Sequence, residues 1–294
     1  MHILVTGANG GFGTLIVAKL LEAGHTVTGS MRDPHGRNAA TTEALTALGA
    51  KIVDIDVTDD GSVIQGVETA VAQSGQIDVL INNAGIGAHG LLENFTDADF
   101  QQVFDINVFG VQRMTRAVLP AMRARKSGLI INVSTLLARL ALPFFGPYNA
   151  AKWALEAMSE TYRVELSEFG IDVAIIEPGG FPTAFFGNQL TPSSQDRAES
   201  YGEFAQAPRI AQERFSGFLQ SNPQQNPQLV ADAIVKVVGQ KPGSRRLRTE
   251  VDTVGMGEAI VAYNDHHDQV TAGIFKAFGM EQMLELKSRP DTTG

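Results

Sequence analysis

The segment "HILVTGANGGFGTLIVAKLLEAG", residues 2–24, joins a short apolar run to a longer helical pattern through a glycine-rich turn. The first run is uniformly apolar, which is typical of a strand buried on both faces. Glycines at positions 7, 10, 11 and 13 let the backbone turn sharply and approach a pyrophosphate at the helix N-terminus. A tight connection would also use glycines in this spacing, but the place between strand and helix favours dinucleotide binding.

The next 155 residues or so repeat this alternation of buried strand and helix. We therefore predict an α/β fold: a Rossmann-type doubly wound parallel sheet with helices on both faces, whose ligands lie beyond the carboxyl ends of the strands. Further strands are predicted at 25–31, 51–57, 77–85, 128–134 and 171–179, and helices near 41–49, 59–74, 97–126 and 148–169.

The pattern changes after residue 179. Residues 180–225 are rich in Pro, Gln, Ser and Phe and carry no strand signal, which predicts an irregular insertion that is a lid or binding segment, or else disordered. A helix at 226–239, a basic strand at 245–251 and a helical stretch at 256–287 follow. We predict a single domain over 1–288, with 289–294 as a frayed tail.

Composition excludes several classes of function. The 294 residues contain no cysteine and carry a formal charge of −9, which excludes thiol chemistry and disfavours nucleic acid or anionic membranes as partners. No apolar run approaches the ~18 residues of a membrane span, and no signal-peptide pattern opens the chain, so we expect a cytoplasmic protein.

Two short motifs do not indicate a site. "NDHHDQ" (264–269) predicts a solvated helix face and no metal site, because adjacent histidines diverge on a helix. "SRRLR" (244–248) predicts an edge strand or an oligomer contact.

The end of the second strand bears on the choice of cofactor. NAD sites usually place an acid there, whereas this chain has Met31 followed by Arg32, whose guanidinium suits a 2′-phosphate. We therefore favour NADP(H), with NAD(H) possible. In one alternative, Arg32 pairs with Asp33 at the strand end and binds no phosphate. In another, the strand ends two residues later and Asp33 binds the ribose diol of NAD(H). After the third strand, Asp56 is placed for the adenine amino group with the Val57 N–H beside it, or Asp56 caps the next helix.

Tyr148 and Lys152 lie four residues apart and project from one helix face. An ammonium near the phenol favours the phenolate, so we expect Lys152 to lower the tyrosine pKa and enable proton exchange with a substrate oxygen. Such pairs also occur by chance. This one follows a strand that ends in "NVST" (132–135), in the same sheet as the glycine turn.

Six motifs in register then carry a resemblance. "TGANGGFG" (6–13), "NNAG" (82–85), Asn107 in "INVFG", "NVST", "YNAAK" (148–152) and "PGGFPT" (178–183) are similar to the short-chain dehydrogenase/reductase family, in its single-domain branch. The resemblance covers about the first 185 residues, and it makes 180–225 the substrate loop. It implies an oxidoreductase, often a homo-dimer or homo-tetramer, with helices 97–126 and 148–169 as candidate interfaces.

The resemblance also implies residue roles. Tyr148 is the general acid in reduction and the base in oxidation, Lys152 binds the nicotinamide ribose, and Asn107 holds a water that links Lys152 to solvent. Thr183 and the turn around it contact the carboxamide of the nicotinamide. The remaining implied cofactor residues are Gly7, Asn9, Gly10, Gly11, Phe12, Gly13, Asn83, Ala84, Gly85, Pro178, Gly179 and Phe181.

A hydroxyl partner in this family usually lies thirteen residues before the tyrosine, which is Thr135 here; Ser134 is the alternative by residue type. Alternation along a strand lets one of them face the site, and we predict Thr135, with Ser134 hydrogen-bonded behind the strand.

The residues expected beside Tyr148 are mostly apolar, which predicts a small hydrophobic ketone, aldehyde or secondary alcohol as the substrate. The alternative functions are an NAD-dependent alcohol or steroid-type dehydrogenase and a catalytically weak nucleotide-sensing protein. The predicted pocket residues are Leu136, Leu137, Phe144, Phe145, Phe185 and Phe186, with Leu91 and Leu92 as further candidates.

Overall fold

Seven parallel strands form one sheet in the computed structural model, which describes residues 1–287. The strands pair in the order 3-2-1-4-5-6-7, so the order reverses between the first and the fourth strand. A crevice for ligands opens at such a reversal, and the predicted doubly wound sheet in one domain is confirmed. The strands are β1 (His2–Thr6), β2 (Thr26–Met31), β3 (Lys51–Asp54), β4 (Val79–Asn82), β5 (Gly128–Val133), β6 (Ile171–Pro178) and β7 (Arg248–Val251).

Helices cover both faces of the sheet. They are α1 (Gly11–Glu22), α2 (Ala39–Ala47), α3 (Asp60–Ser74), α4 (Asp97–Phe104), α5 (Gly110–Arg125), α6 (Gly146–Ser167), α7 (Ala207–Gln220), α8 (Gln228–Gly239) and α9 (Met256–Ala277). The helix predicted over 97–126 is α4 and α5 joined by a π-helical turn, Asp105–Phe109. Asn107 lies in this turn, and π-turns of this kind often occur at functional sites.

Two of the three apolar clusters among residues 1–287 lie on opposite faces of the sheet, and the third surrounds Tyr148. On β1, Ile3 and Val5 belong to the cluster beneath α1 and α8, whereas Leu4 belongs to the cluster beneath α3 and α5. All three side chains are fully buried. Alternation along a strand that is covered on both faces explains why this run is continuously apolar.

The prediction of an irregular insertion at 180–225 is wrong for its second half. Two 3₁₀ turns, Ala184–Gly187 and Ala198–Gln206, lead into α7. Pro208 lies in the first turn of α7, where its fixed φ favours helix initiation. Leu219 is buried on the helix, and the Phe215 ring packs near Gly180. The polar composition of residues 180–225 obscures the four-residue spacing of Phe215 and Leu219, which is typical of a helix.

The carboxyl-terminal elements follow the predicted order with shifted ends. The basic strand begins at Arg248 as β7, and it lies at the edge of the sheet as predicted. Arg245 and Arg248 are nevertheless buried, and Arg245 pairs with Asp172 at 3.0 Å. The last helix, α9, ends at Ala277, and the tail predicted at 289–294 lies outside the described residues. Within residues 1–287, no helix has the length and apolar character needed to cross a bilayer.

Gly13 gives a direct test of the first turn. A Cβ on Gly13 would overlap the carbonyl oxygen of Gly7 and lie 2.8 Å from the Cα of Ala8, backbone atoms that cannot rotate away. We expect Gly13→Ala to lower the free energy of unfolding in urea by about 2–3 kcal/mol. Gly273→Ala in α9 is the control: its Cβ meets nothing within 4 Å, and alanine should add up to ~1 kcal/mol there. A Gly13→Ala protein as stable as the wild type would contradict this packing.

Candidate active site

Tyr148 and Lys152 lie one turn apart near the start of α6. Both side chains are buried on the face that packs against the end of β5. The Lys152 Nζ donates to the carbonyl oxygen of Val133 at 2.8 Å and lies 5.8 Å from the centroid of the Tyr148 ring. The last residue of β5 therefore holds the ammonium beside the tyrosine.

Burial governs the protonation of both groups. It raises the pKa of the Tyr148 phenol above its usual range, and hydrogen bonding with Thr135 opposes that rise. Burial lowers the pKa of Lys152 to about 8, with the charge of Glu156 acting in the other direction. The expected lowering of the Tyr148 pKa by Lys152 is wrong for the protein alone, because burial outweighs it and the ammonium bonds to a carbonyl. At neutral pH the tyrosine is protonated and the lysine is mainly an ammonium.

The two neighbouring hydroxyls differ in their contacts. Thr135 Oγ1 accepts from the N–H of Leu137 at 3.3 Å, and its hydroxyl lies near enough to the Tyr148 phenol to act against the rise of the phenol pKa. Ser134 also lines the cavity, and its buried hydroxyl has no partner within residues 1–287. The prediction that Ser134 bonds behind the strand is therefore wrong. Because β5 ends at Val133, strict alternation of side chains does not extend to the next two residues.

A cavity of about 120 Å³ extends from Tyr148, Lys152 and Thr135. Its lining is mostly apolar and includes five predicted residues, Leu136, Leu137, Phe145, Phe185 and Phe186. No sequence motif indicates Leu142, Phe215 and Met256, which also line the cavity and come from three separate segments.

Phe144 does not line this cavity, so that prediction is wrong. Its backbone has a φ of 71°, and its ring lies 6.1 Å from both the His89 and Phe204 rings, measured between centroids. Leu91 is buried elsewhere, and Leu92 packs near Gly146 on the outer side.

A larger cleft, of about 570 Å³, follows the carboxyl ends of the first four strands. Gly7 starts the turn with a φ of 65°, and Gly10, the N-cap of α1, provides no side-chain cap. The first turn of α1 also contains no acid, so its backbone N–H groups fit a pyrophosphate. Predicted cofactor residues that line this cleft are Gly7, Asn9, Gly10, Gly11, Phe12, Arg32, Asp56, Val57, Asn83, Ala84, Gly85 and Thr183.

Other predicted cofactor residues occupy neighbouring places. Pro178, Gly179 and Phe181 line the cavity beside Tyr148, and Thr183 lines both spaces, so it marks where they meet. Gly13 lines neither space and serves the packing of the turn instead.

The end of β2 places two arginines on the cleft. Arg32 Nη1 lies 3.7 Å from the Asp56 carboxylate, and Arg37, which the sequence analysis missed, also lines the cleft. Asp33 follows the strand end at Met31 and accepts from the backbone N–H of Arg37 at 3.0 Å. Its carboxylate closes a turn of the loop and does not line the cleft.

Asp56 does not cap α3. Asp59 does so, accepting from the N–H of Ser62, and the capping alternative for Asp56 is therefore wrong. Despite partial burial, hydrogen bonds from Thr58 and the charge of Arg32 hold the pKa of Asp56 below its usual range. The carboxylate is thus an ionised acceptor at the edge of the cleft.

Asn107 is fully buried, and its amide bonds both the N–H (3.1 Å) and the carbonyl (2.9 Å) of Ile86. This side chain therefore fixes the loop after β4, and the water relay to Lys152 stays a prediction. Residues 1–287 contain no group of three or more His, Asp or Glu side chains that could hold a metal ion.

Known proteins share this arrangement. Residues 1–193 match the family described as short chain dehydrogenase. A 3-ketodihydrosphingosine reductase from Bacteroides thetaiotaomicron is 39% identical over 203 residues, or 68% of this chain and 72% of that protein. Retinol dehydrogenase 8 from Bos taurus is 35% identical over 259 residues, or 84% of this chain and 80% of that one. The crystal structure of a short-chain dehydrogenase from Streptomyces avermitilis is 33% identical and has a TM-score of 0.73, with 96% of this chain and 97% of that chain covered. The sheet order, the glycine turn and these likenesses agree, and the chain belongs to the short-chain dehydrogenase family of NAD(P)-binding oxidoreductases.

Proposed function

We propose that this protein is an NADPH-dependent oxidoreductase that moves hydride between nicotinamide and an uncharged, hydrophobic ketone, aldehyde or secondary alcohol. One observation carries the proposal: the phenol, hydroxyl and ammonium of Tyr148, Thr135 and Lys152 line a cavity whose other lining residues are mostly apolar. Lys152 is the only charged side chain that lines this cavity in the described part of the chain. Lys152 already donates to the Val133 carbonyl beside Tyr148, and the lining offers no other charged group, so a charged substrate would lose hydration there with little compensation.

The chain supplies the proton and the orientation. The cofactor, when bound, supplies or takes the hydride. In reduction, the Thr135 hydroxyl donates a hydrogen bond to the substrate carbonyl oxygen, and Tyr148 transfers its proton to that oxygen. The Lys152 ammonium stabilises the phenolate that remains. Burial keeps the resting phenol protonated, which is the form that the reduction uses.

The cofactor preference rests on the end of β2. Arg32 and Arg37 present two guanidinium groups to the cleft, whereas the Asp33 carboxylate is engaged in its own loop. Paired guanidinium groups suit a 2′-phosphate, and an NAD site would need an acid in their place. This supports NADP(H), with NAD(H) as the alternative.

The relatives and the site support turnover over nucleotide sensing. One relative is named for reducing a 3-keto compound and another for acting on retinol, an alcohol. A sensor would need no buried proton donor beside a buried ammonium.

We expect a homo-dimer or homo-tetramer, since Phe109 beside α5 and Trp153 on α6 are large apolar side chains left 52% and 41% exposed.

Thr135→Ala tests the assignment of the hydroxyl. Because Thr135 contacts the phenol, its loss should lower kcat for ketone reduction by about a hundredfold, against less than about threefold for Ser134→Ala. Thr135→Ser keeps the hydroxyl and should restore most of the rate. Steady-state oxidation of NADPH measures all three variants, and equal or reversed losses for the two alanine variants would overturn the assignment.

Arg32→Asp tests the cofactor preference. Loss of a charge-assisted bond to the 2′-phosphate should lower kcat/KM for NADPH by about tenfold to a hundredfold and leave the value for NADH nearly unchanged. Arg37→Ala should weaken NADPH in the same direction by a smaller factor. Asp33→Asn is the control, because an Asp33 that bound the ribose diol would make this variant lose NADH activity. An unchanged preference in Arg32→Asp would contradict the account.

A further inference from the structure

A cluster of buried charges lies directly behind the Tyr148–Lys152 pair. It brings together side chains from the turn after β5, from α6, from β6 and from β7. We call it the arginine–glutamate cluster; its members are Arg139, Glu156, Glu160, Glu177 and Arg248.

The contacts of the cluster converge on Glu156. Its Oε2 accepts from Arg248 Nε at 2.9 Å and from Arg139 Nη2 at 3.2 Å. Arg139 Nε also donates to Glu177 Oε1 at 3.2 Å, and Glu160 bonds both arginines from the partly exposed rim. The side chains of Glu156, Glu177 and Arg248 are at most 2% exposed. Burying this many charges is costly, so the cluster is poor evidence for a gain in stability alone.

Three of the buried members, Arg139, Glu156 and Glu177, are adjacent in the chain to part of the site. Arg139 follows Thr135 by four residues, Glu177 directly precedes the Pro178–Gly179 turn, and Glu156 lies one helical turn beyond Lys152. The cluster therefore ties together the segments that carry the hydroxyl, the nicotinamide-side turn and the catalytic helix. A change in the charge of one cluster member therefore acts on all three segments.

Glu156 has one oxygen that the arginines do not use. Tyr148, Lys152 and Glu156 lie at successive turns on one buried face of α6. Glu156 Oε1 is buried and has no hydrogen-bond partner among the residues that the structure describes. The charge of a buried carboxylate interacts more strongly with an ammonium at a given distance than the charge of a carboxylate in water. In agreement, Glu156 opposes the effect of burial on the pKa of Lys152.

We propose that Glu156, held by Arg139 and Arg248, is a positioning residue that keeps the Lys152 ammonium protonated and so sets the alkaline limit of the reaction. The effect on Lys152 is independent of the substrate, whereas the link to turnover rests on the function proposed above. The other charged groups that face the two arginines are Glu160 on α6, Glu177 on β6 and Asp268 on α9. His267 on α9 faces Glu160 and Asp268.

Glu156→Gln is the decisive variant. Removing the negative charge leaves two arginines behind Lys152, so its ammonium should lose its proton at lower pH, with a pKa reduced by about one unit. The titration is followed in the free protein through the lysine ¹³Cε NMR shifts, with the Lys152 signal assigned from Lys152→Met. The alkaline limb of the kcat/KM profile should move down by the same amount, while activity at lower pH is retained.

Glu160→Gln is the matched control. It removes the same charge from the same two arginines, but it lies two turns from Lys152. A purely structural cluster predicts equal behaviour of the two variants, whereas the proposal predicts a shifted Lys152 titration in Glu156→Gln alone. Glu156→Asp keeps the charge and should restore the alkaline limb.

A second variant covers poor folding of Glu156→Gln. Arg139→Gln removes a positive charge, so the Lys152 titration should move to higher pH. An unmoved titration in every variant that folds, or the same shift in Glu160→Gln, overturns the proposal. A moved titration with an unmoved rate profile overturns the link to turnover and locates the error in the role proposed for Lys152. A protein that reduces no carbonyl at all would refute the proposed function, while the NMR titration would still decide the effect of Glu156.

Discussion

The hydrogen bond from Lys152 to the Val133 carbonyl fixes the position of the buried ammonium beside Tyr148. It joins α6 to the end of β5 and brings an ammonium out of water beside a phenol. A buried ammonium tends to lose its proton, so it needs negative charge nearby. Glu156 provides that charge one turn away, and Glu156 in turn needs Arg139 and Arg248. On the proposal made above, the ion cluster behind the site compensates for the burial of Lys152.

The same edge of the sheet provides the rest of the site. Because all strands are parallel, their carboxyl ends meet on one side, and the reversal of strand order between β1 and β4 opens the cleft there. The glycine turn leaves the first N–H groups of α1 unpaired at one end of that cleft. Thr183 borders both the cleft and the cavity beside Tyr148, so a ligand in the cleft would reach the tyrosine.

Local patterns in the sequence predicted the elements well where burial and periodicity agree. The strands from β1 to β6, the order of the helices and the positions of Tyr148, Lys152 and the glycine turn all follow from apolar runs and short spacings. Thr135 was chosen by its distance from Tyr148, and the structure places it against the phenol. Phe144 was misplaced because its left-handed backbone cannot be inferred from residue type.

Long-range contacts were beyond what the sequence could predict. Phe215 and Met256 reach the cavity from α7 and α9, and no spacing links them to Tyr148. The pKa of Tyr148 was predicted with the wrong sign, because a nearby ammonium is visible in a sequence and the depth of burial is not. The prediction for 244–248 was an edge strand or an oligomer contact, and neither implies that Arg248 is among the largest fully buried side chains of residues 1–287.

The central claim is that the buried, protonated Tyr148 delivers the proton while the rest of the site binds the cofactor. The most direct test compares wild type and Tyr148→Phe in single-turnover reduction of a hydrophobic ketone, with NADPH binding measured separately by its fluorescence. Since the phenyl ring keeps the packing and removes the proton, we predict a rate lower by about 10³-fold with NADPH affinity within about threefold of wild type. A Tyr148→Phe protein that reduces the ketone at a rate near that of the wild type would contradict the account.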